Sequence, residues 1–357
     1  MNDPKIADSL EALRKAVDEV NSELLAVLNR RGDLVNRIRD VKVSQGMEMF
    51  DPVREAHQMK ELVSRNSGPM TPKMVEHIFR EVFRAFHGQM QDSCGEGLLV
   101  TSKQGPGTVT IGNVTLGNGK PVLIAGPCAV ESEEQLEAVA TLLEELGVSL
   151  MRGGAFKPRS SPYTFQGLGM VGVKLLAKVA ASHGLSTVSE LTDAEFLGDF
   201  QEQIDVIQVG ARNMYNYDFL KKLARSNRPI LLKRGLSATI EEFLLSAEYL
   251  FAGGNRQVIL CERGIRTFEP STRNTLDLSA VPLLKEKTGL PVVVDVGHAA
   301  GRKDLLLPLA KAALAVGADA VMVQVHPTPA SALSDAGQQL DLDAFRRFVE
   351  SLQPYLG

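Results

Sequence analysis

From Val122 onward the chain repeats one pattern: a short apolar run ending in a reactive side chain, then a stretch with apolar positions at helical spacing. The runs are VLIAGPC, SLMRGGAFKP, GLSTVSEL, DVIQVGARN, PILLKRG, QVILCERG, PVVVDVGH and AVMVQVHP. Short apolar runs read as buried strands, and the intervening stretches 133–146, 172–183, 240–252 and 303–316 read as helices. Eight alternations of this kind predict an α/β fold, a (β/α)8 TIM barrel whose active site is built from the loops at the strands' C-terminal ends. The residues at those ends are Cys128, Arg152 and Lys157, Glu190, Arg212, Lys233, Arg263, His298 and Gln324.

The first part of the chain has a different period. Residues 5–44 carry Leu10, Leu13, Val17, Leu24, Leu28, Val35 and Ile38 at helical spacing, which predicts one long helix. Asp51-Pro52 supplies a cap and a first-turn proline for a second helix through about Arg65. Thr71-Pro72 does the same for a third, through about Gln91. The expected organisation is an all-α domain over 1–92, a glycine-rich linker over 93–107, and the barrel over 108–357. The barrel part opens with TVTIGNVTLGNGKP, whose alternation and Gly-Asn turn predict a β-hairpin at the barrel's bottom.

Composition narrows the class. With 357 residues and 44% apolar content the chain can bury a large core. A net charge of −4 without a dense basic run argues against a nucleic-acid or membrane-surface partner. The stretch 305–323 carries Lys311 and Asp319 and fits a barrel helix and strand better than a membrane span. Three cysteines and a polar N-terminus point to a reducing cytoplasm.

Arg152, Lys157, Arg159, Arg212, Lys233 and Arg263 at one mouth call for anions. Arg suits bidentate contact with carboxylate or phosphate and Lys acts as a compact charge, so a substrate bearing both groups, or two phosphorylated substrates, is expected. The alternative for each cation is an acidic partner on a neighbouring loop. Cys128, His298, Gln324 and Asp335 combine thiolate, imidazole and oxygen donors, a mixed set for a divalent metal. In a closed barrel the strands carrying them are neighbours. Taken singly, Cys128 could be a buried structural thiol and His298 a hydrogen-bonded strand-end residue.

These residues sit in motifs that resemble 3-deoxy-D-arabino-heptulosonate 7-phosphate (DAHP) synthase: AGPC (125–128), RGGAFKPRSSPYTFQGLG (152–169), GARNMYNY (210–217), LLKRG (231–235), CERGIRTFE (261–269), GHAAGRKD (297–304) and VQVHPTPASALSDAGQQL (323–340). The sister synthase acting on arabinose 5-phosphate typically has Ala-Asn-Arg where this chain has Pro158-Arg159, which favours the four-carbon aldehyde. The resemblance implies phosphoenolpyruvate on Arg152, Lys157, Arg212, Lys233 and Arg263, erythrose 4-phosphate on Arg159 and Ser160, and Mn²⁺, Fe²⁺, Co²⁺ or Zn²⁺ on Cys128, His298, Gln324 and Asp335. Lys157 and Glu190 are the candidate catalytic groups, Glu190 positioning a water; a salt bridge to a nearby Lys fits Glu190 equally. Relatives usually carry Glu at position 324 and Asp-Pro-Ser-His where this chain has Asp295-Val296-Gly297-His298. An amide in place of a carboxylate implies weaker metal binding.

The N-terminal helices resemble the all-α chorismate mutase family through Arg14, Arg31, Lys42, Asp51, Arg54 and Glu55. Arg31 and Lys42 share a face, whereas Arg14 lies about 100° around the axis, so a partner protomer's helix would supply it. That implies a homodimer or homotetramer. By the resemblance, Arg14 and Arg31 bind the carboxylates of chorismate and Lys42 donates to its ether oxygen, with Glu55 also in a catalytic position. The family's third-helix Gln aligns with Met90, between Gln89 and Gln91. The rival reading makes the helical domain a regulatory module that binds chorismate or prephenate and inhibits the synthase. Fold and motifs together imply an allosterically regulated enzyme of aromatic amino acid biosynthesis.

Overall fold

The structure, a computed structural model, describes residues 4–45, 51–102, 107–159 and 161–356. They form two compact units, Met1–Cys94 and Gly95–Gly357. In the first, α1 spans Pro4–Ser44, α2 Pro52–Arg65 and α3 Pro72–Gly97. The cap signals operate as the sequence suggests: Asp51 accepts from Arg54 N at 2.9 Å, and Thr71 Oγ1 accepts from Met74 N at 3.3 Å. α3 runs past its predicted end at Gln91, through residues assigned to the linker, because nothing before Pro106 forbids the helical turn there. Leu13, Val17, Val20, Leu24 and Leu25 stay half exposed or more along α1.

The second unit opens with the hairpin β1 (Val109–Ile111) and β2 (Val114–Leu116), paired Ile111 to Val114 across Gly112-Asn113. Gly112 has φ +55°, the left-handed conformation that such a tight turn needs. Eight parallel strands follow: β3 (Val122–Gly126), β4 (Leu150–Arg152), β5 (Ser186–Glu190), β6 (Val206–Val209), β7 (Ile230–Lys233), β8 (Val258–Glu262), β9 (Val292–Asp295) and β10 (Ala320–Gln324). They close with β10 beside both β3 and β9. Helices α4 (Glu133–Glu145), α5 (Met170–Ser182), α6 (Leu197–Gln203), α7 (Tyr217–Leu223), α8 (Ile240–Ala252), α9 (Ala280–Thr288), α10 (Val296–Ala300), α11 (Leu306–Ala315) and α12 (Leu342–Leu352) complete the unit. Among the described residues no helix is long and apolar enough to cross a membrane.

The hairpin seals one end. Val109, Ile111 and Leu116 pack with Ile124, Leu150 and Leu231 in one buried cluster that fills the barrel's N-terminal end. Each such side chain contributes roughly 1.5–3 kcal/mol on leaving water. The polar groups therefore gather at the other end.

Outside the barrel, His183 follows α5 and is clamped between carboxylates of α4, Nδ1 to Glu144 at 2.6 Å and Nε2 to Glu137 at 2.9 Å. These hydrogen bonds raise its pKa above the ordinary value. The folded state then binds the proton more tightly than the unfolded chain, so the added stability is complete below pH about 6.5 and is lost as pH rises through the folded pKa. Its size stays under about 1 kcal/mol, since the carboxylates are half exposed and screened. Melting curves of wild type and His183→Gln between pH 5.5 and 9 should differ most at the acid end; a gap that does not change with pH would refute the assignment.

Candidate active site at the barrel mouth

The first loop is fixed by a close approach of strands. Gly126 ends β3 at φ +148°, and a Cβ there would lie 2.0 Å from Arg152 O, so only glycine lets β3 turn into Pro127-Cys128 against β4. Arg152, 3% exposed, donates from Nη1 to Pro127 O. Lys157 Nζ reaches Cys128 O at 3.0 Å and Sγ at 3.2 Å. Burial alone would push the Cys128 thiol up, but Lys157, His298 and Arg152 outweigh it and bring the pKa down to about 7.

The loop after β10 meets the same thiol from the other side. Gln339 Oε1 accepts from Cys128 N at 2.9 Å, Ser334 Oγ lies 3.0 Å from Sγ, and Asp335 Oδ2 lies 3.2 Å from it. Glu131 ties these loops together, accepting from Leu333 N at 2.9 Å and facing His326 at 3.4 Å. Asp335 has φ 51°, the one non-glycine residue with positive φ among the described residues. Asp tolerates that conformation better than most residues, and the cost is met where a side chain must be aimed. Burial opposes its charge, yet His298 and Arg273 hold its carboxyl far below the usual range.

His298 departs from expectation in one respect: it sits on α10, a single turn after β9, and not on the strand itself. Asp295 at the end of β9 caps that turn, accepting from His298 N at 3.0 Å and facing Nδ1 at 2.7 Å. The same carboxylate holds Lys233 Nζ at 2.5 Å, and both groups are buried. Asp295 is the residue the sequence reading missed; an acid closing a four-residue apolar run was its signal. Burial opposes the charged His298 ring, but Asp295 outweighs it and raises the pKa, and Asp335 at 3.5 Å from Nε2 acts in the same direction.

The ligating atoms of Cys128, His298 and Asp335 lie within 4.8 Å of one another, a spacing that one ion can bridge. The mixed thiolate, imidazole and carboxylate donors suit a divalent transition metal. Gln324 borders this group with its nitrogen 3.1 Å from His298 Nε2. Gly297 and Gln324 stand side by side, since a Cβ on Gly297 would lie 3.7 Å from Gln324 Oε1.

The remaining predicted residues ring the mouth. Arg212 lies exposed in a 3-10 turn after β6, and Arg263 follows β8 with 6% exposure. Burial, with Arg273 and Arg212 as like charges, pulls the Arg263 pKa down. Arg152 Nε and Arg263 Nη1 are buried without a hydrogen-bond partner among the described residues. Buried donors of this kind are rare in folded proteins and mark a place for an acceptor. Glu190 receives Gln208 Nε2 at 3.2 Å, and its carboxylate packs so closely on Gly210 that a Cβ there would lie 2.0 Å from Oε1. The lysine partner entertained for Glu190 does not occur among the described residues. Arg159 Nε donates to Phe165 O at 3.3 Å, and Ser160 lies outside the described residues.

In the helical unit Arg31 stands over the Phe83 ring at 5.1 Å, beside a cavity of about 270 Å³ lined also by Gln58, Leu62, Arg65 and Phe79. Burial lowers the Arg31 pKa against the opposing charge of Glu55. Asp51 and Arg54 are exposed at the start of α2, Lys42 is half-buried near the end of α1, and Arg14 is exposed on α1. The side chains of Gln89, Met90 and Gln91 lie outside the described residues.

Comparison with known proteins bears on both units. The DAHP synthetase I family matches residues 98–355, and chorismate mutase type II matches residues 13–90. A phospho-2-dehydro-3-deoxyheptonate aldolase of Thermotoga maritima is 51% identical over 245 residues, covering 69% of this chain and 72% of that protein. Its crystal structure superposes with a TM-score of 0.67 at 50% identity, over 69% of this chain and 72% of that one. A truncated form of that synthase gives 0.65 at 47% identity, over 69% and 90%. A 2-dehydro-3-deoxyphosphooctonate aldolase of Geobacter sulfurreducens is 30% identical over 264 residues, covering 69% of this chain and 96% of that protein.

Proposed function

Because the chain belongs to the DAHP synthetase I family and carries a chorismate mutase type II domain ahead of its barrel, we propose that it condenses phosphoenolpyruvate with erythrose 4-phosphate and rearranges chorismate to prephenate. The observation that carries the first activity is the pair of buried, unpartnered donors on Arg152 and Arg263, which an anionic substrate would satisfy. Higher identity to the heptonate than to the octonate enzyme supports the four-carbon aldehyde.

In this reading Arg152, Lys157, Arg212, Lys233 and Arg263 bind the carboxylate and phosphate of phosphoenolpyruvate. C3 of the enol phosphate forms the new bond to the aldehyde carbon of erythrose 4-phosphate, whose own phosphate rests on Arg159 and Ser160. Water, positioned by Glu190, adds at C2, and the C2–O bond to phosphate breaks to give DAHP and inorganic phosphate. Cys128, His298 and Asp335 would hold a divalent ion, Mn²⁺, Fe²⁺, Co²⁺ or Zn²⁺, that polarises the aldehyde oxygen when bound. The cations also offset charge that develops as the bond forms, in a site with little competing water.

The mutase needs no covalent intermediate. Arg14 and Arg31 pair with the two carboxylates of chorismate and hold the reactive conformer, Lys42 donates to the ether oxygen, and Asp51, Arg54 and Glu55 complete the site. The apolar stripe left exposed on α1 supports pairing with a second copy, whose Arg14 would enter the site. Arg31→Ala in the full chain should lower chorismate turnover at least about 100-fold, the cost of one charge-paired carboxylate contact, and leave phosphate release from phosphoenolpyruvate unchanged. Retained chorismate turnover in that variant would remove Arg31 from the mutase site, and absence of turnover by the wild type would remove the mutase reading and leave the synthase reading intact.

A further inference from the structure

Three polar side chains run in a line from the barrel rim to the metal group. Arg273 Nη1 lies 3.0 Å from Gln338 Oε1 and 3.2 Å from Asp335 Oδ1. Gln338 Nε2 lies 2.7 Å from Gln324 Oε1 and 3.5 Å from Asp335 Oδ2. Gln324 Nε2 lies 3.1 Å from His298 Nε2. Gln324 is 1% exposed and Gln338 3%, so water does not compete for these groups.

The direction of every bond in the line follows from its first member. A guanidinium has donors and no acceptor, so the atom of Gln338 facing Arg273 is its oxygen. The nitrogen of Gln338 is then turned to Gln324, which must present its own oxygen in return. That leaves the nitrogen of Gln324 facing His298. Turning Gln324 over would set its N–H groups against those of Gln338, and turning Gln338 to relieve that would set its N–H groups against Arg273. The first reversal leaves two buried donors face to face, and the second turns the buried Gln338 N–H groups on a guanidinium that has no acceptor, arrangements folded proteins avoid.

We infer that Gln324 is not a ligand of the divalent ion: Arg273, through Gln338, holds its carboxamide with the nitrogen toward the centre, which takes three protein ligands, Cys128, His298 and Asp335. An amide ligates a hard or borderline cation through its oxygen, and that oxygen is turned to Gln338 while the nitrogen faces His298. Arg273 and Gln338 are thus positioning residues that set the coordination number. The inference rests on the metal-site reading above and narrows it.

Water-proton relaxation of the Mn²⁺-loaded full-length protein tests this, because it counts exchangeable waters on the ion independently of turnover. Gln324→Ala should carry the same number of coordinated waters as wild type. Gln324→Glu should carry one fewer, because a carboxylate can accept from Gln338 with one oxygen and reach the ion with the other. A gain of one water in Gln324→Ala would show that Gln324 is a ligand and would overturn the inference. Should Gln324→Ala fail to fold, Gln338→Leu serves instead: releasing the amide should cost the ion one water, and an unchanged count would overturn the lock. Cys128→Ala separates the two readings. If it holds Mn²⁺ as tightly as wild type in chelator competition, the metal site itself is misassigned, whatever Gln324 does.

Discussion

Cys128→Ala is expected to lower the rate of erythrose 4-phosphate-dependent phosphate release by about 10³-fold or more, and chelation of the wild type to do the same reversibly. A bound divalent ion polarising a carbonyl supplies several kcal/mol of transition-state stabilisation, and about 4 kcal/mol is roughly a thousandfold in rate. Cys128 is fully buried, with Lys157 Nζ at 3.2 Å, Ser334 Oγ at 3.0 Å and Asp335 at 3.2 Å from its sulfur. Nothing in that packing needs a thiol; an alanine of smaller volume fits the same space. Mn²⁺, Fe²⁺, Co²⁺ and Zn²⁺ added after chelation should restore the wild type to different degrees and leave Cys128→Ala inactive. Full activity of Cys128→Ala in chelator would end the metal-dependent reading.

The next largest effect separates two cations that look alike in sequence. Arg212→Ala should cost at least about 2 kcal/mol in kcat/KM, roughly thirtyfold, with the melting temperature nearly unchanged. No ion pair of Arg212 is found among the described residues, so its loss falls on the substrate. Lys233→Ala should cost a similar amount in kcat/KM and destabilise the fold by a further 3–5 kcal/mol or so, because it leaves Asp295 buried with His298 as its remaining charged partner. Kinetics and thermal melts on the two variants decide the matter. Equal melting temperatures would mean that Asp295 does not depend on Lys233, and a kcat/KM loss under about threefold in Arg212→Ala would remove it from the substrate site.

Asp295 contributes a pH dependence of the opposite sense to that of His183. Lys233 and His298 outweigh burial and hold its carboxyl well below the usual range, so its contribution is present above about pH 4 and is lost as pH falls through the folded value.

The eight strands and the helices between them were legible because each element carries its own period: continuous apolar runs for strands buried on both faces, a 3.6-residue spacing for helices. The caps at Asp51 and Thr71 and the Gly112-Asn113 turn were legible for the same reason, each being decided by a few neighbouring residues. The ends of the strands named the reactive side chains, since a barrel of this kind places them at one mouth. Local patterns do not reach further. That α3 continues to Gly97 depends on nothing stopping it, which a glycine-rich stretch disguises. That Asp295 serves both Lys233 and His298 follows from the curvature of the barrel, which brings the ends of β7 and β9 within a few ångströms. That Gln324 turns its nitrogen to His298 is decided by Arg273, 51 positions earlier in the chain, through Gln338. The sequence by itself thus determined which elements form and which chemistry gathers at the mouth. Tertiary structure alone decided how those groups are paired, because hydrogen-bond direction and charge compensation depend on distances between residues that no spacing along the chain specifies.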